Sequence, residues 1–514
     1  MARLRLSLTL PGAVSLGAYE GGALAALLLA CQELGEQAVV IDSMASASAG
    51  SITGLLSARA LLRGTDPIRL LARAWVELVS LRAMQAHSTE APLSGEALSV
   101  IATDLLGPGG VPDGPDDRRQ REPVRLSMAL GNLAGLNYAL PVVDRATPMQ
   151  ASTFLDWYNV TLTDDLDAGR YLELAQAAIA SGADAIGFPP KQLDRSADRA
   201  QYDQAGLAGF PADGKFWYTD GGTIDNEPLG RTIDLAQSVG SDDDRVFLLI
   251  HPDPVATTDT PSPTWTGNSP QPSWLHAGTR AFAIGRTQTI FEDLKRLEKT
   301  NSYLEWTKAI PAAVQAGVTE AIEALGLSAG QADTLRASLQ DAAAAELSKI
   351  RQQQDRAREI ARRSPRGHRA VSGGYAETLQ ALVAAATGLE GKRPASVDVV
   401  SPAIDPAVTE PASEQLAGAF LFHFGGFIDI RYRQSDFALG YRNMQYWLEH
   451  DLARYLEGTD MTGALASVAD GYRRLGWDDI RCGGAQLGSL CTGEKVELGE
   501  VALHVLNVIR HDIT

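Results

Sequence analysis

The chain has 514 residues, with 63 Asp and Glu against 45 Lys and Arg, and therefore a formal net charge of −18. Hydrophobic residues make up 45% and charged residues 21%, the balance of a protein with a folded core rather than of a disordered chain. The acidic balance argues against general nucleic-acid binding, which needs a basic surface. Cys31, Cys482 and Cys491 cannot form a disulfide framework and show no CxxC spacing, so we expect a reducing compartment.

The first 255 residues alternate strand-like and helix-like segments. The N-terminus alternates apolar and polar residues as a strand does and shows no signal-peptide pattern, and the apolar run 23–31 is too short to span a membrane. We predict strands at Leu4–Leu10, 38–44, 124–130 and 245–250, and helices through Leu24–Leu34, at about 50–62 and at 171–180. This order predicts an α/β fold with a mostly parallel sheet and helices on both faces.

The character of the sequence changes after residue 255. A proline-rich stretch at 256–274 is predicted to be a loop, and residues 275–363 are rich in good helix formers. We therefore predict an α/β domain at 1–255 and a mainly helical extension at 275–514 that packs on it. The aromatic-rich segment 422–437 is predicted to be strand- or turn-like.

Three turns contain residue types that can bind an anion or take part in catalysis. Residues 11–22 (PGAVSLGAYEGG) join a strand to a helix and could aim backbone N–H groups at an anion, although a tight structural turn is an open alternative. Residues 46–50 (SASAG) form a G-x-S-x-G elbow with serine in place of the first glycine; a serine-rich helix cap is the alternative. Residues 220–222 (DGG) are by themselves an ordinary turn.

The three turns together, in this order, resemble the patatin-like phospholipase family, which uses a Ser-Asp dyad without histidine. Two further stretches are similar to family segments, namely 177–190 (AAIASGADAIGFPP) and 226–228 (NEP). The resemblance covers residues 1 to about 255. It implies a three-layer α/β/α fold and a lipid acyl hydrolase that cleaves carboxylic esters through an acyl-enzyme.

The resemblance also assigns roles to individual residues. Ser48 is expected to be the nucleophile and Asp220 the base, with Gly12, Ala13 and Val14 lining the oxyanion hole. The family's loop usually reads G-G-G-x-R/K-G, whereas this chain has Ala13, Val14 and Leu16 at the second, third and basic positions. A catalytically weak or inactive scaffold of the same fold that binds lipid or protein is therefore the alternative function.

The remaining polar residues support weaker hypotheses. His251 ends a predicted strand and could complete a Ser-His triad, but a structural role is favoured. No histidine shows metal-ligand spacing, so no metal or cofactor is expected. A basic cluster between Arg356 and Arg369 could attract anionic lipid, although a solvated helix face is favoured. We expect a cytoplasmic protein whose partner is a lipid or ester substrate, with peripheral membrane contact left open.

Overall fold

A nine-stranded mixed sheet forms the centre of the part of the chain described by the computed structural model. The described residues are 3–85, 91–140, 149–185, 187–239, 241, 243–252, 273–360, 370–390, 392, 394–477, 480 and 499. The strands are β1 (Leu4–Leu10), β2 (Val39–Ser46), β3 (Val124–Leu140), β4 (Met149–Leu162), β5 (Lys191–Asp194), β6 (Leu207–Ala208), β7 (Lys215–Asp220), β8 (Asp244–Ile250) and β9 (Ser396–Val400).

The strand order is β5-β7-β3-β2-β1-β8-β9, with β4 and β6 also paired to β3. The run β3-β2-β1-β8-β9 is parallel, while β4, β6 and β7 lie antiparallel to β3, and β5 antiparallel to β7. The strand β1 lies at the centre of this parallel run, and it is therefore buried along its whole length. The carboxyl ends of β1 and β2 therefore meet at one edge of the sheet, where the two glycine- and serine-rich turns emerge.

Helices cover both faces of the sheet, which confirms the three-layer α/β/α architecture. They are α1 (Gly17–Leu34), α2 (Ala49–Arg63), α3 (Pro67–Ala72), α4 (Leu81–Gln85), α5 (Gly95–Leu106), α6 (Ala168–Ser181), α7 (Arg199–Ala205), α8 (Leu229–Val239), α9 (Trp274–Ala324), α10 (Ala329–Ile360), α11 (Tyr375–Ala386), α12 (Ala412–Gln415), α13 (Ile430–Trp447), α14 (Ala453–Tyr455) and α15 (Thr462–Leu475). One face carries α1, α2 and α6, and the other carries α8.

The helix α1 is the central helix of its layer. By length and composition the segment Val14–Leu34 could cross a membrane, but 94% of its most apolar window is buried inside the fold. Burial on all sides explains why this helix is apolar around its whole circumference. The apolar character of α1 therefore fits a core helix.

The helix α13 packs along α1 at a distance that glycine permits. A Cβ on Gly22 would lie 1.9 Å from the Phe437 carbonyl oxygen, and one on Gly440 would lie 2.0 Å from that of Tyr19. The Asn443 side-chain amide also donates to the Tyr19 hydroxyl over 2.9 Å. The two helix backbones are therefore in direct contact, and residues from beyond position 400 complete the core around α1.

The part of the chain beyond residue 255 contains one feature that the sequence did not reveal. The strand β9 pairs with β8 in parallel and extends the central sheet. The Trp447 indole of α13 donates to the Asp398 carboxylate of this strand over 2.8 Å. The domain boundary at 255 stays a prediction, but the extension contributes a strand of the sheet as well as helices.

Several predicted elements are confirmed. The strand at Leu4–Leu10 has the predicted bounds, and the other three predicted strands and the predicted helices differ at their ends. The prediction for 422–437 was wrong in its second half, which belongs to α13. The proline-rich stretch falls mostly in 253–272 and lies outside the described residues, as do Cys482, Cys491 and the members of the basic cluster beyond Ile360.

A buried carboxyl group on α13 predicts how stability varies with pH. The Asp436 carboxylate accepts from the amides of Ala417 (2.7 Å) and Gly418 (2.9 Å), and burial raises its pKa to about 7. An unfolded aspartate titrates near pH 3.9, so between these values the folded state binds the extra proton. The contribution of Asp436 to stability is thus fully present below about pH 4 and is lost as the pH rises through 7.

We expect Asp436→Asn to remove this pH dependence. The free energy of unfolding of the variant, relative to wild type, should rise between pH 5 and pH 8, because the amide needs no proton to stay neutral. Denaturant unfolding at pH 5, 6, 7 and 8 measures the difference. Asp341→Asn, at an exposed position of α10, should run parallel to wild type. Parallel profiles for Asp436→Asn and wild type would contradict the prediction.

Candidate active site

Ser48 occupies a sharp turn between β2 and α2. Its backbone has φ 50° and ψ −124°, a conformation that residues other than glycine rarely adopt and that costs roughly 1–3 kcal/mol. It stands at the N-cap position of α2, yet its side chain makes no capping hydrogen bond. The serine-cap alternative therefore does not explain this residue, and the strained turn matches a nucleophile elbow.

The end of β1 holds the elbow in place. The amide of Ala47 donates to the Leu10 carbonyl over 3.0 Å, and the amide of Gly50 donates to the Pro11 carbonyl over 3.2 Å. A Cβ at position 50 would lie 2.3 Å from the Leu10 carbonyl oxygen, so only glycine fits. The close approach of the end of β1 therefore explains why the final residue of the elbow motif is glycine.

Serine in place of the first elbow glycine is accommodated by a hydroxyl network. The Ser46 hydroxyl lies 3.0 Å from that of Ser51, which in turn lies 2.8 Å from that of Ser181. The Ser181 hydroxyl accepts from the Ser48 amide over 3.0 Å and donates to the Ala129 carbonyl over 2.7 Å. Ser46 therefore has partners for its hydroxyl, and the network fixes the amide of Ser48.

Asp220 ends β7 and is fully buried. Its carboxylate accepts from the Gly222 amide over 2.8 Å, and its own amide donates to the Ala183 carbonyl over 2.9 Å. The aspartate is thus fixed by the turn that follows it and by the segment after α6.

The strand registers place the end of β2 and the end of β7 close together along β3. Ser46 pairs with Met128 of β3, and Asp220 pairs with Leu130, two residues further along β3. The elbow that follows Ser46 and the carboxyl group of Asp220 therefore belong to strands on opposite sides of β3. The C-terminal end of α6 and the residues after it contact both of them, since Ser181 binds the Ser48 amide and Ala183 binds the Asp220 amide.

The glycine-rich loop after β1 lies beside the elbow. Gly12 forms two hydrogen bonds with Asn226: its amide donates to the Asn226 carbonyl over 3.0 Å, and its carbonyl accepts from the Asn226 side chain over 3.1 Å. The Gly12 amide is thus occupied. In the described part of the chain, the amides of Ala13 and Val14 have no hydrogen-bond partner. Val14 has φ 52°, so the loop contains a second non-glycine residue in left-handed conformation.

An apolar cavity opens at Ser48. Its volume is about 80 Å³, and Val14 also lines it. The walls are aliphatic side chains of α2, α5 and α6 together with Trp75, Phe188 and Phe427. Among the described lining residues, only Ser48 and Asp184 contribute a hydroxyl or a charged group. The lining therefore places apolar side chains next to Ser48.

A buried carboxyl group, Glu20, lies behind the cavity wall and was not singled out in the sequence. The Thr53 hydroxyl is 3.3 Å from its carboxylate and accepts from the indole of Trp75 over 3.1 Å. Burial raises the pKa of Glu20 well above its ordinary value. Glu20 thus bonds to the Thr53 hydroxyl, and Thr53 in turn bonds to the Trp75 indole in the cavity wall.

His251 is directed elsewhere. Its Nε2 lies 2.9 Å from the carboxylate of buried Glu227, and its backbone amide bonds to Val400 of β9. The strand that precedes it, β8, is separated from β2 by β1, and His251 does not line the cavity at Ser48. The geometry agrees with a structural role. Among the described residues, no group of three or more His, Cys, Asp or Glu could hold a metal ion.

Comparison with known families agrees with this geometry. Residues 8–233 match the family model described as Patatin-like phospholipase, a range that runs from β1 through α8 and includes all three turns. A search of curated proteins finds no match to the chain. Members of the matched family are in general lipid acyl hydrolases. Residues 8–233 of the chain are therefore similar to patatin-like phospholipases.

Proposed function

We propose that this protein hydrolyses carboxylic esters of lipids with Ser48 as nucleophile and Asp220 as general base. The observation that carries the proposal is the strained backbone of Ser48 in the lining of an apolar cavity, with buried Asp220 at the end of the strand on the other side of β3. A serine hydroxyl is a weak nucleophile until a base accepts its proton. We assign that role to Asp220, the buried carboxyl group that ends β7.

The reaction would proceed in two balanced steps. In the first, the Ser48 oxygen attacks the ester carbonyl carbon, its proton moves to Asp220, and the same proton leaves with the alcohol as the acyl-enzyme forms. In the second, water attacks the acyl-enzyme and gives its proton to Asp220. That proton returns to the Ser48 oxygen as the fatty acid is released.

The negative charge of each tetrahedral intermediate needs hydrogen-bond donors. We propose the Ala13 and Val14 amides for this role, each with an expected effect of about 10²–10³ on the rate. Gly12 would support the loop rather than donate, because its amide is bonded to Asn226. Of the three residues expected to line the oxyanion hole, we therefore propose two, Ala13 and Val14, as the hydrogen-bond donors.

The cavity indicates how the acyl chain would bind. An apolar pocket next to the nucleophile would hold the acyl part of the substrate, leaving the alcohol part toward solvent. We also propose a cytoplasmic location, in line with the few cysteines, and lipid access by peripheral contact.

Ser48→Ala and Asp220→Asn test the proposed chemistry. Hydrolysis of p-nitrophenyl esters should fall by about 10³-fold or more in each variant, since each removes one half of a unit that acts together. Ser57→Ala is the matched control, a buried serine of α2 that does not line the cavity, and it should keep wild-type rates. Wild-type turnover equal to that of Ser48→Ala would favour the alternative of an inactive lipid- or protein-binding scaffold.

Ala178→Phe tests the acyl site. Ala178 lies on α6 and lines the cavity, so a phenyl ring should exclude the far end of a long acyl chain. Each excluded methylene removes about 0.8 kcal/mol of binding, or about fourfold in kcat/KM. We expect the ratio of kcat/KM for long to short esters to fall, while short esters react at nearly wild-type rates.

The control for Ala178→Phe is Val100→Phe. Val100 is 64% exposed on α5 and lies outside the cavity, so its chain-length profile should match wild type. A profile of Ala178→Phe that also matches wild type would place the acyl chain in another part of the protein.

A further inference from the structure

A loop from the C-terminal part of the chain, residues 416–427, bonds directly to the glycine-rich loop. The Ser15 amide donates to the His423 carbonyl over 3.0 Å, and the Ser15 hydroxyl donates to the same carbonyl. The Gly426 amide in turn donates to the Ser15 hydroxyl over 3.0 Å. Three hydrogen bonds thus join Ser15 to two residues that are far away in the sequence, His423 at a separation of 408 positions and Gly426 at 411.

These bonds are made next to the strained residue of the glycine-rich loop. Val14 precedes Ser15 and has φ 52°, a conformation that costs a non-glycine residue about 1–2 kcal/mol and is least suited to a β-branched side chain. Family loops usually have glycine at this position, which adopts the conformation without strain. Here the bonds at Ser15 fix the peptide unit that follows Val14, and they can hold the valine where its own preference would not.

The C-terminal loop is itself firmly anchored. The guanidinium of Arg433, only 3% exposed, donates to the Gly426 carbonyl over 2.8 Å and to the Val76 carbonyl over 3.1 Å. A Cβ on Gly426 would lie 2.7 Å from the Ser15 hydroxyl oxygen, so the two loops are in close contact. Phe427 continues from this contact into the wall of the cavity.

The backbone of the C-terminal loop is also strained where it meets Ser15. Leu421, Phe422 and His423 have φ of 53°, 55° and 70°, three consecutive non-glycine residues in left-handed conformation. Strain of this kind persists where the surrounding structure holds it, and it concentrates at functional sites. The last residue of the run supplies the carbonyl that accepts both bonds from Ser15.

We infer that Ser15 is a positioning residue, through which the C-terminal loop holds Val14 in the conformation that presents its amide to the oxyanion. The inference rests on the proposed function, since it assigns a cause to the orientation of a proposed oxyanion donor. It also gives the region beyond residue 255 a part in catalysis. A chain without that region would have the nucleophile elbow but a glycine-rich loop without its support.

Ser15→Ala tests the inference by removing the hydroxyl and keeping the Cβ. We expect kcat for p-nitrophenyl esters to fall roughly 10–100-fold, with KM within about twofold of wild type. The reason is that a misplaced Val14 amide would weaken a hydrogen bond that forms mainly in the transition state. Amide hydrogen exchange in a peptide covering residues 11–17 should be faster than in wild type. Ser43→Ala is the matched control, a fully buried serine of β2 whose hydroxyl is bonded to Ser7 and Asp42.

The control separates positioning from general destabilisation. Ser43→Ala should lower the melting temperature at least as much as Ser15→Ala while keeping wild-type kcat and wild-type exchange in 11–17. If Ser15→Ala does not fold, Gly426→Ala perturbs the same contact from the other side and should give the same lowered kcat and faster exchange.

Three results would overturn the inference. The first is wild-type kcat in Ser15→Ala, and the second is an equal loss of kcat in Ser43→Ala. The third is unchanged exchange in residues 11–17, which decides against the support of the loop even if the wild type hydrolyses no ester. Absence of hydrolysis in the wild type, with faster loop exchange in Ser15→Ala, would instead refute the proposed function and leave the support of the loop established.

Discussion

The left-handed backbone of Ser48 is the constraint around which the site is built. A serine holds this conformation only if its neighbours fix it, and here β1 binds the residues on both sides of it through the Leu10 and Pro11 carbonyls. The Ser181 hydroxyl binds the amide of Ser48 itself. The central strand, the elbow and the end of α6 therefore act together to present one hydroxyl group to the cavity.

A second strained residue stands beside the first. Val14 and Ser48 both line the cavity and both have φ near 50°. The support for Ser48 comes from the parallel sheet, whereas the support for Val14 comes from Ser15 and the C-terminal loop. On our inference, the contact with the C-terminal loop lets a valine occupy a positive-φ position in the glycine-rich loop. It also ties the region beyond residue 255 to the site, together with the strand β9 and the contact of α13 with α1.

Local pattern predicted the elements whose burial is regular. The strand Leu4–Leu10 was predicted with its observed bounds because it is fully buried and flanked by clear turn residues. The two turns after β1 and β2 were also predicted, because their glycine and serine residues are close together in the sequence and form recognisable motifs. The positive φ of Ser48 supports the interpretation of residues 46–50 as an elbow.

Long-range contacts were beyond the reach of such patterns. The helix α13 was missed because it buries Arg433 and Asp436, which are satisfied by backbone partners and break the apolar periodicity of a surface helix. The support of Ser15 depends on a carbonyl 408 positions away, and no local signal marks it. Ser181 did lie in a segment similar to the family, but its bond to the Ser48 amide could be seen only in the fold.

The central claim is that the strained serine at the cavity is the reacting group. Labelling the protein with a fluorophosphonate and mapping the modified peptide by mass spectrometry tests this claim directly, because the reagent needs an activated serine hydroxyl. The account predicts a single adduct on Ser48 that is absent from Ser48→Ala. No adduct, or an adduct on a different serine, would contradict it.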